Sequence, residues 1–119
     1  MNICKFGGSS IQHIEQVDNI LKPKISKYKR VLVIVSAFGN TTDLLLTNIE
    51  EVYTFHNNLC IKLFGKVLLK VTDLIQNIKL LSQVINTFKV IPDQLKERLL
   101  SYGELLSSVI LYNYFNKIY

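Results

Sequence analysis

Asn2-Ile3-Cys4-Lys5-Phe6-Gly7-Gly8-Ser9-Ser10 is the stretch that decides how this chain is read. A short apolar run passes directly into two glycines and two hydroxyls, and a helical pattern follows. That order reads as strand, phosphate-sized loop, helix. Lys5 stands near the end of the strand, where its ammonium can reach whatever the loop holds. Loops of this composition, opening a helix, can turn backbone N–H groups toward an anion.

Working outward, Val31-Leu32-Val33-Ile34-Val35 is the clearest strand. Its unbroken β-branched run predicts a strand covered on both faces, as in a parallel sheet. Between the two strands, Ile11 to about Lys27 carries Ile14, Val17, Asp18, Ile20, Leu21 and Ile25 at mostly helical spacing, interrupted by Pro23. Strand, helix, strand is one right-handed crossover unit. It places Lys5 and Ser36 at the same carboxyl edge of the sheet, where open α/β sheets bind ligands. A second loop, Ser36 to Asp43, is small, polar and Gly-containing. It opens a helix, with Asn40, Thr41 or Thr42 as N-cap and Asp43 favourable in the first turn.

The remainder reads as helix. Leu44, Leu45, Ile49, Val52 and Tyr53 form one apolar side, and Asn57-Asn58 marks its break. Leu59 to about Phe88 repeats apolar residues at helical spacing, weakened locally by Gly65. This predicts a structural hairpin or one long packing helix, with no chemistry in it. Pro92-Asp93 starts a short helix that ends near Ser101-Tyr102-Gly103. A final helix runs from Glu104 to about Lys117.

At 119 residues the chain is expected to form one domain, spanning 1–119. Hydrophobic residues make up 49% and charged residues 19%, which fits a folded core and excludes a disordered tail. No apolar run reaches the length of a membrane span, and the N-terminus lacks signal-peptide features. A cytoplasmic location without membrane attachment is therefore expected. Cys4 and Cys60 have no metal-ligand spacing and suggest neither a zinc site nor a disulfide. His13 and His56 read as lone surface residues on helices. The net charge of +5 is spread out. Its densest piece, Lys22 to Arg30, reads as a solvated helix end, and no nucleic-acid partner is expected. Lys62, Lys66 and Lys70 recur every four residues, as on the wet face of one helix.

Phosphate binding is the first functional reading, but the common nucleotide motifs fail. There is no G-x-x-x-x-G-K-[ST], no G-x-G-x-x-G, and no kinase catalytic-loop or D-F-G signature. Three other blocks carry a family resemblance. Lys5-Phe6-Gly7-Gly8-Ser9-Ser10 resembles the K-F-G-G-[ST]-S opening of aspartate kinases, of the amino-acid kinase fold. Val33 to Asp43, VIVSAFGNTTD, resembles that family's V-V-V-S-A-x-G-x-x-T-[DN] segment. Leu100 to Ser108, LSYGELLSS, resembles its L-S-x-G-E-x-L-S block. The blocks occur in the family's order.

The resemblance implies an α/β amino-acid kinase-like three-layer fold with a mainly parallel sheet, present as its N-terminal portion. It implies ATP-dependent phosphorylation of the L-aspartate side-chain carboxylate, giving 4-phospho-L-aspartate, on the route to lysine, threonine and methionine. Lys5 would contact the transferring phosphoryl group. Gly7 and Gly8 would let backbone approach the phosphates of ATP, with Ser9 as a nearby donor. Ser36 and Thr42 would bind aspartate. Glu104 would meet its ammonium or orient Lys5, the alternative being a carboxylate favoured by a helix N-terminus. Mg²⁺ would accompany ATP, with no metal ligand in the chain itself. The family's later G-R-G-G-S-D-like segment and most of its nucleotide wall are missing. The resemblance thus implies either an N-terminal fragment of such a kinase or a shortened product that needs a complementing C-terminal polypeptide, the alternative being a catalytically inactive binding or assembly module. A homo-oligomer through the long helix is a further expectation. The S-A-F-G wording also fits relatives fused to homoserine dehydrogenase.

Overall fold

The structure is a computed structural model and describes residues 2–8, 11 and 13–117. Strand β1 (Asn2–Phe6) and strand β2 (Val31–Val35) pair in parallel, with Lys5 opposite Ile34 and Phe6 opposite Val35. The ladder continues past the strands through Ser36 N–H donating to the Phe6 carbonyl at 3.1 Å. Lys5 and Ser36 therefore do share one carboxyl edge.

The connection between the strands differs from the single kinked helix expected. It begins with a short α1 (Ile14–Gln16), widens into a π-helical turn (Val17–Leu21) and returns to α geometry in α2 (Lys22–Ile25). Pro23 explains the change. It has no N–H for an i→i−4 bond and its ring crowds the preceding turn, so the helix widens just before it. Val17 and Leu21 are buried. Asp18 belongs to the polar side instead: it accepts a hydrogen bond from the Tyr114 hydroxyl at 2.8 Å, tying the connection to the last helix.

Helix α3 (Thr41–Thr47) stops at Asn48, and α4 (Ile49–Phe64) starts there. The Asn48 side chain accepts from the Glu51 N–H at 3.3 Å, and Glu50 and Glu51 favour the positive first turn. The break therefore lies at Asn48, and Asn57-Asn58 sit inside α4. Gly65 does more than weaken a helix. At φ 76° it is the left-handed residue that ends α4, its N–H donating to the Ile61 carbonyl at 2.9 Å. Helix α5 (Leu69–Ile85) follows, so Lys62, Lys66 and Lys70 fall on two helices and the joint between them.

Helix α6 (Asp93–Asn116) is continuous where two helices were expected. Gly103 ends nothing. It is buried in mid-helix because a close neighbour leaves no room for a side chain: a Cβ there would stand 2.9 Å from the Ala37 Cβ and 3.2 Å from Thr41 Cγ2. Helix α5 packs along α6, and α6 packs on α3 and β2. Val71, Ile75 and Ile78 of α5 meet Leu99, Leu106 and Ile110 of α6 in one core that also takes in Phe6, Val35 and Val52.

The sheet is covered on one face only. Cys4, Phe6, Val33 and Val35 turn inward, whereas Ile3, Lys5, Leu32 and Ile34 face outward. The expectation that β2 is covered on both faces is not met by the described residues. A β-branched run reports that a strand is suited to cover on both sides; it cannot report that the cover is present in the same polypeptide. The fold is thus a small parallel sheet with helices against one side, an incomplete α/β architecture.

Candidate functional site at the carboxyl edge of the sheet

The three sequence blocks converge on the end of β2. Parallel pairing brings the first block beside the second, so that Lys5 precedes the edge and Ser36 stands on it. The second block turns sharply after Ser36: Ala37 and Phe38 are buried, and Thr41 N–H donates to the Phe38 carbonyl at 3.0 Å. The third block arrives on α6. Contact across the missing side chain of Gly103 presses α6 against Ala37 and Thr41. Ser107, fully buried, donates its hydroxyl to the Ser36 carbonyl at 2.7 Å, with the Glu104 carbonyl at 3.1 Å as a second acceptor. This bond spans 71 positions in the chain and fixes α6 to the strand end.

Lys5 and Glu104 are both exposed, and Ser36 is half-buried. Glu104 lines a groove of about 380 Å³ whose walls are Val33, Ile34 and Val35 on one side and Ser101, Leu105 and Ser108 on the other. Because α6 begins at Asp93, Glu104 stands in mid-helix, far from the N-terminus of its own helix. The dipole of its own helix therefore does not account for this carboxylate, which stands opposite β2 in the groove. Thr42 is exposed in the first turn of α3, and Asn40 occupies the N-cap position without a side-chain cap bond. Thr42 is thus not committed to capping. Thr41 is the buried member of the pair.

A Cβ at Gly7 or Gly8 would meet nothing within 4 Å, and neither residue takes a positive φ. Neither packing nor turn geometry demands glycine at these two positions. Gly8 accepts from the Ile11 N–H at 3.2 Å, and the helix opens only at Ile14. Ser9 lies outside the described residues.

His56 corrects a sequence expectation. It is fully buried rather than on the surface, beside the rings of Phe38 and Phe55 at 6.1 and 5.1 Å. Its Nδ1–H donates to the Val52 carbonyl at 2.7 Å, and Nε2 has no partner. Burial pushes its pKa down to about 4, against a smaller opposing effect from the Val52 bond. A neutral imidazole behind Phe38 is a packing group, not a base at the sheet edge. His13 is exposed. Cys60 is a buried free thiol whose pKa burial raises, and Cys4 is half-buried and free. Among the described residues no cluster of three or more His, Cys, Asp or Glu side chains could hold a metal ion, and no helix is long and apolar enough to cross a membrane.

Ser107 and Gly103 are the residues that motif reading passed over. Their signal was present in the third block, as small residues four apart on one face of a helix, but helix spacing alone cannot say which element lies opposite.

No family model matches the chain. Among curated proteins, aspartokinase of Rickettsia felis is 38% identical over 58 residues, covering 46% of this chain and 14% of the relative. Aspartokinase 2, chloroplastic, of Arabidopsis thaliana is 26% identical over an alignment of 133 positions, covering 98% of this chain and 24% of the relative. Among solved structures, E. coli aspartokinase III in complex with aspartate and ADP superposes with a TM-score of 0.77, covering 93% of this chain at 20% identity. The chain is aspartokinase-like. The aspartokinase-like fold is carried by nearly every residue of the chain, yet the match spans 28% of the aspartokinase III chain. Its span of the curated relatives is about a quarter of their length or less.

Proposed function

We propose that this chain provides the aspartate-binding and phosphoryl-contacting edge of an aspartate kinase. The reaction is ATP-dependent phosphorylation of the L-aspartate side-chain carboxylate to 4-phospho-L-aspartate, the entry to lysine, threonine and methionine synthesis. The observation that carries this reading is the Ser107–Ser36 bond, with Gly103 seated on Ala37, which joins the third block to the second at the strand end that Lys5 also approaches.

Each residue has a role suited to its place. Lys5, exposed at the strand end, balances negative charge on the phosphoryl group in flight. Gly7 and Gly8 leave open space where side chains would otherwise stand, which suits close approach of phosphates; Ser9 is the donor that the motif adds beside them. Ser36 and Thr42 hold the substrate carboxylates by hydroxyl donation, and Glu104 takes the substrate ammonium. ATP supplies the phosphoryl group, with Mg²⁺ carried on its phosphates. Phosphoryl transfer asks chiefly for positioning and charge stabilisation, and the nucleophile is already a carboxylate, so no histidine base is required.

In a second reading the chain is a binding or assembly module without turnover. Trapping of the acyl phosphate with hydroxylamine, in the presence of ATP and L-aspartate, separates the two. Hydroxamate from the chain, alone or on addition of a polypeptide carrying the rest of an aspartokinase, supports the kinase. No product under either condition overturns catalysis by this chain.

A further inference from the structure

A pocket of about 310 Å³ lies apart from the groove at Glu104 and shares no lining residue with it. Its volume falls in the range of sites that enclose a small ligand, about 300–1,000 Å³. One wall is a single face of α4, on which Phe55, Asn58, Leu59 and Lys62 follow one another at helical spacing. A second wall comes from the start of the connection between the strands, where His13 and Glu15 stand. That wall is held by two reciprocal bonds: His13 N–H donates to Gln16 Oε1 at 3.0 Å, and Gln16 N–H donates to the His13 carbonyl at 3.1 Å. Phe38, from the loop after β2, joins the lining. The rings of Phe38 and Phe55 lie 6.1 Å apart and both pack on buried His56, so the aromatic floor is fixed before a ligand arrives. Two charges of opposite sign complete the pocket. Glu15 and Lys62 are exposed, and among the described residues neither side chain makes an ion pair or hydrogen bond within the chain.

We propose that this pocket binds a zwitterionic α-amino acid with a large apolar side chain. A carboxylate and an ammonium left unpaired at one pocket select a ligand that carries both opposite charges. Glu15 takes the ligand's ammonium and Lys62 its carboxylate. Asn58, which can both donate and accept, serves the same head group. Phe55, 39% exposed, and Leu59 give the apolar side chain a surface to cover. An organic anion or cation would leave one of the two charges unanswered. An acidic amino acid would bring a second carboxylate onto an apolar floor that cannot pair it. The ligand therefore differs from the substrate assigned to the sheet edge, and the inference does not rest on the phosphoryl-transfer reading. Phe38 links the two places. Its carbonyl accepts from Thr41 N–H at 3.0 Å, and its neighbour Ala37 meets α6 at Gly103, so a ligand on the Phe38 ring bears on the loop that follows Ser36.

The test is titration of the ¹⁵N-labelled full chain with L-phenylalanine, without ATP or aspartate, followed by backbone amide shifts. Saturable shifts are expected at His13, Phe38, Phe55, Asn58 and Lys62. 3-Phenylpropionate, which lacks the ammonium, and phenethylamine, which lacks the carboxylate, should each bind about tenfold more weakly. Glu15→Gln should remove the preference for phenylalanine over 3-phenylpropionate and keep that over phenethylamine; Lys62→Gln should do the reverse. Both side chains are exposed, so amide shifts in α5 and α6 should stay as in the parent chain. No saturable shift at the pocket amides overturns the proposal, as do shifts centred instead on Ser36, Thr42 and Glu104. Equal binding of phenylalanine and its two analogues, or preferences that neither substitution moves, overturn the assignment of the head group to Glu15 and Lys62.

Discussion

Ser107 has one hydroxyl proton and two carbonyls within reach, and the shorter contact goes to Ser36. Ser107→Ala leaves that carbonyl without its partner, at a cost of about 1–2 kcal/mol, seen as a lowered midpoint in urea unfolding. Gly103→Ala acts on the same junction by crowding. The added Cβ cannot fit 2.9 Å from that of Ala37, so destabilisation by about 1–3 kcal/mol is expected. Adding Ala37→Gly should recover part of the loss, a coupling that a double-mutant cycle measures. Lys5→Ala should leave the unfolding midpoint nearly unchanged, because Lys5 is exposed, yet lower turnover of the active kinase by orders of magnitude. Full turnover by that variant contradicts the role given to Lys5. His56 predicts an acid sensitivity. Its pKa is about 4 in the fold against 6.5 unfolded, so the unfolded chain binds the extra proton first. The stability that neutral His56 allows is complete above pH 6.5 and falls by up to roughly 3 kcal/mol as pH drops toward 4. His56→Phe should flatten that part of the stability–pH curve; an unchanged slope would place the titration elsewhere.

At the scale of elements, the breaks between helices are the informative features. Asn48→Ala removes the cap that accepts from Glu51 and should cost about 1 kcal/mol, measured as a fall in thermal midpoint. Gly65→Ala forces a side chain into the left-handed region at φ 76° and should cost about 1 kcal/mol although open space surrounds it. The two strands, their parallel pairing and the meeting of Lys5 with Ser36 were all legible in the sequence, because aliphatic runs and the crossover rule depend on local pattern. The helix ends were less so. Asn48 and Asn57-Asn58 are chemically alike, and only the packing of His56 and Leu59 into the core keeps α4 running through the latter pair. Gly103 resembles a stop in sequence and is instead a point of close contact, since the reason for a glycine in mid-helix lies on another element, Ala37. Pro23 was legible as a disturbance, but its resolution as a π-helical turn depends on keeping Val17 and Leu21 buried.

For the molecule as a whole, the central fact is a core built against one side of a two-stranded sheet. Helix α6 packs on β2, and the inner face shares one core with the helices, while the outer face keeps three large aliphatic side chains in water. Three sequence blocks that lie far apart in the chain meet at the end of that sheet; the crossover rule brings the first two together, and only the family resemblance linked the third to them. The geometry of the meeting, a hydroxyl-to-carbonyl bond and a seated glycine, could not be anticipated. The claim that the meeting point is an amino-acid site is tested most directly by titrating the ¹⁵N-labelled chain with L-aspartate and following backbone amide shifts. The account predicts saturable shifts centred on Ser36, Thr42 and Glu104, absent with succinate, which lacks the ammonium that Glu104 is assigned to bind. Shifts confined to other parts of the chain, or none at those three residues at any aspartate concentration, would contradict it.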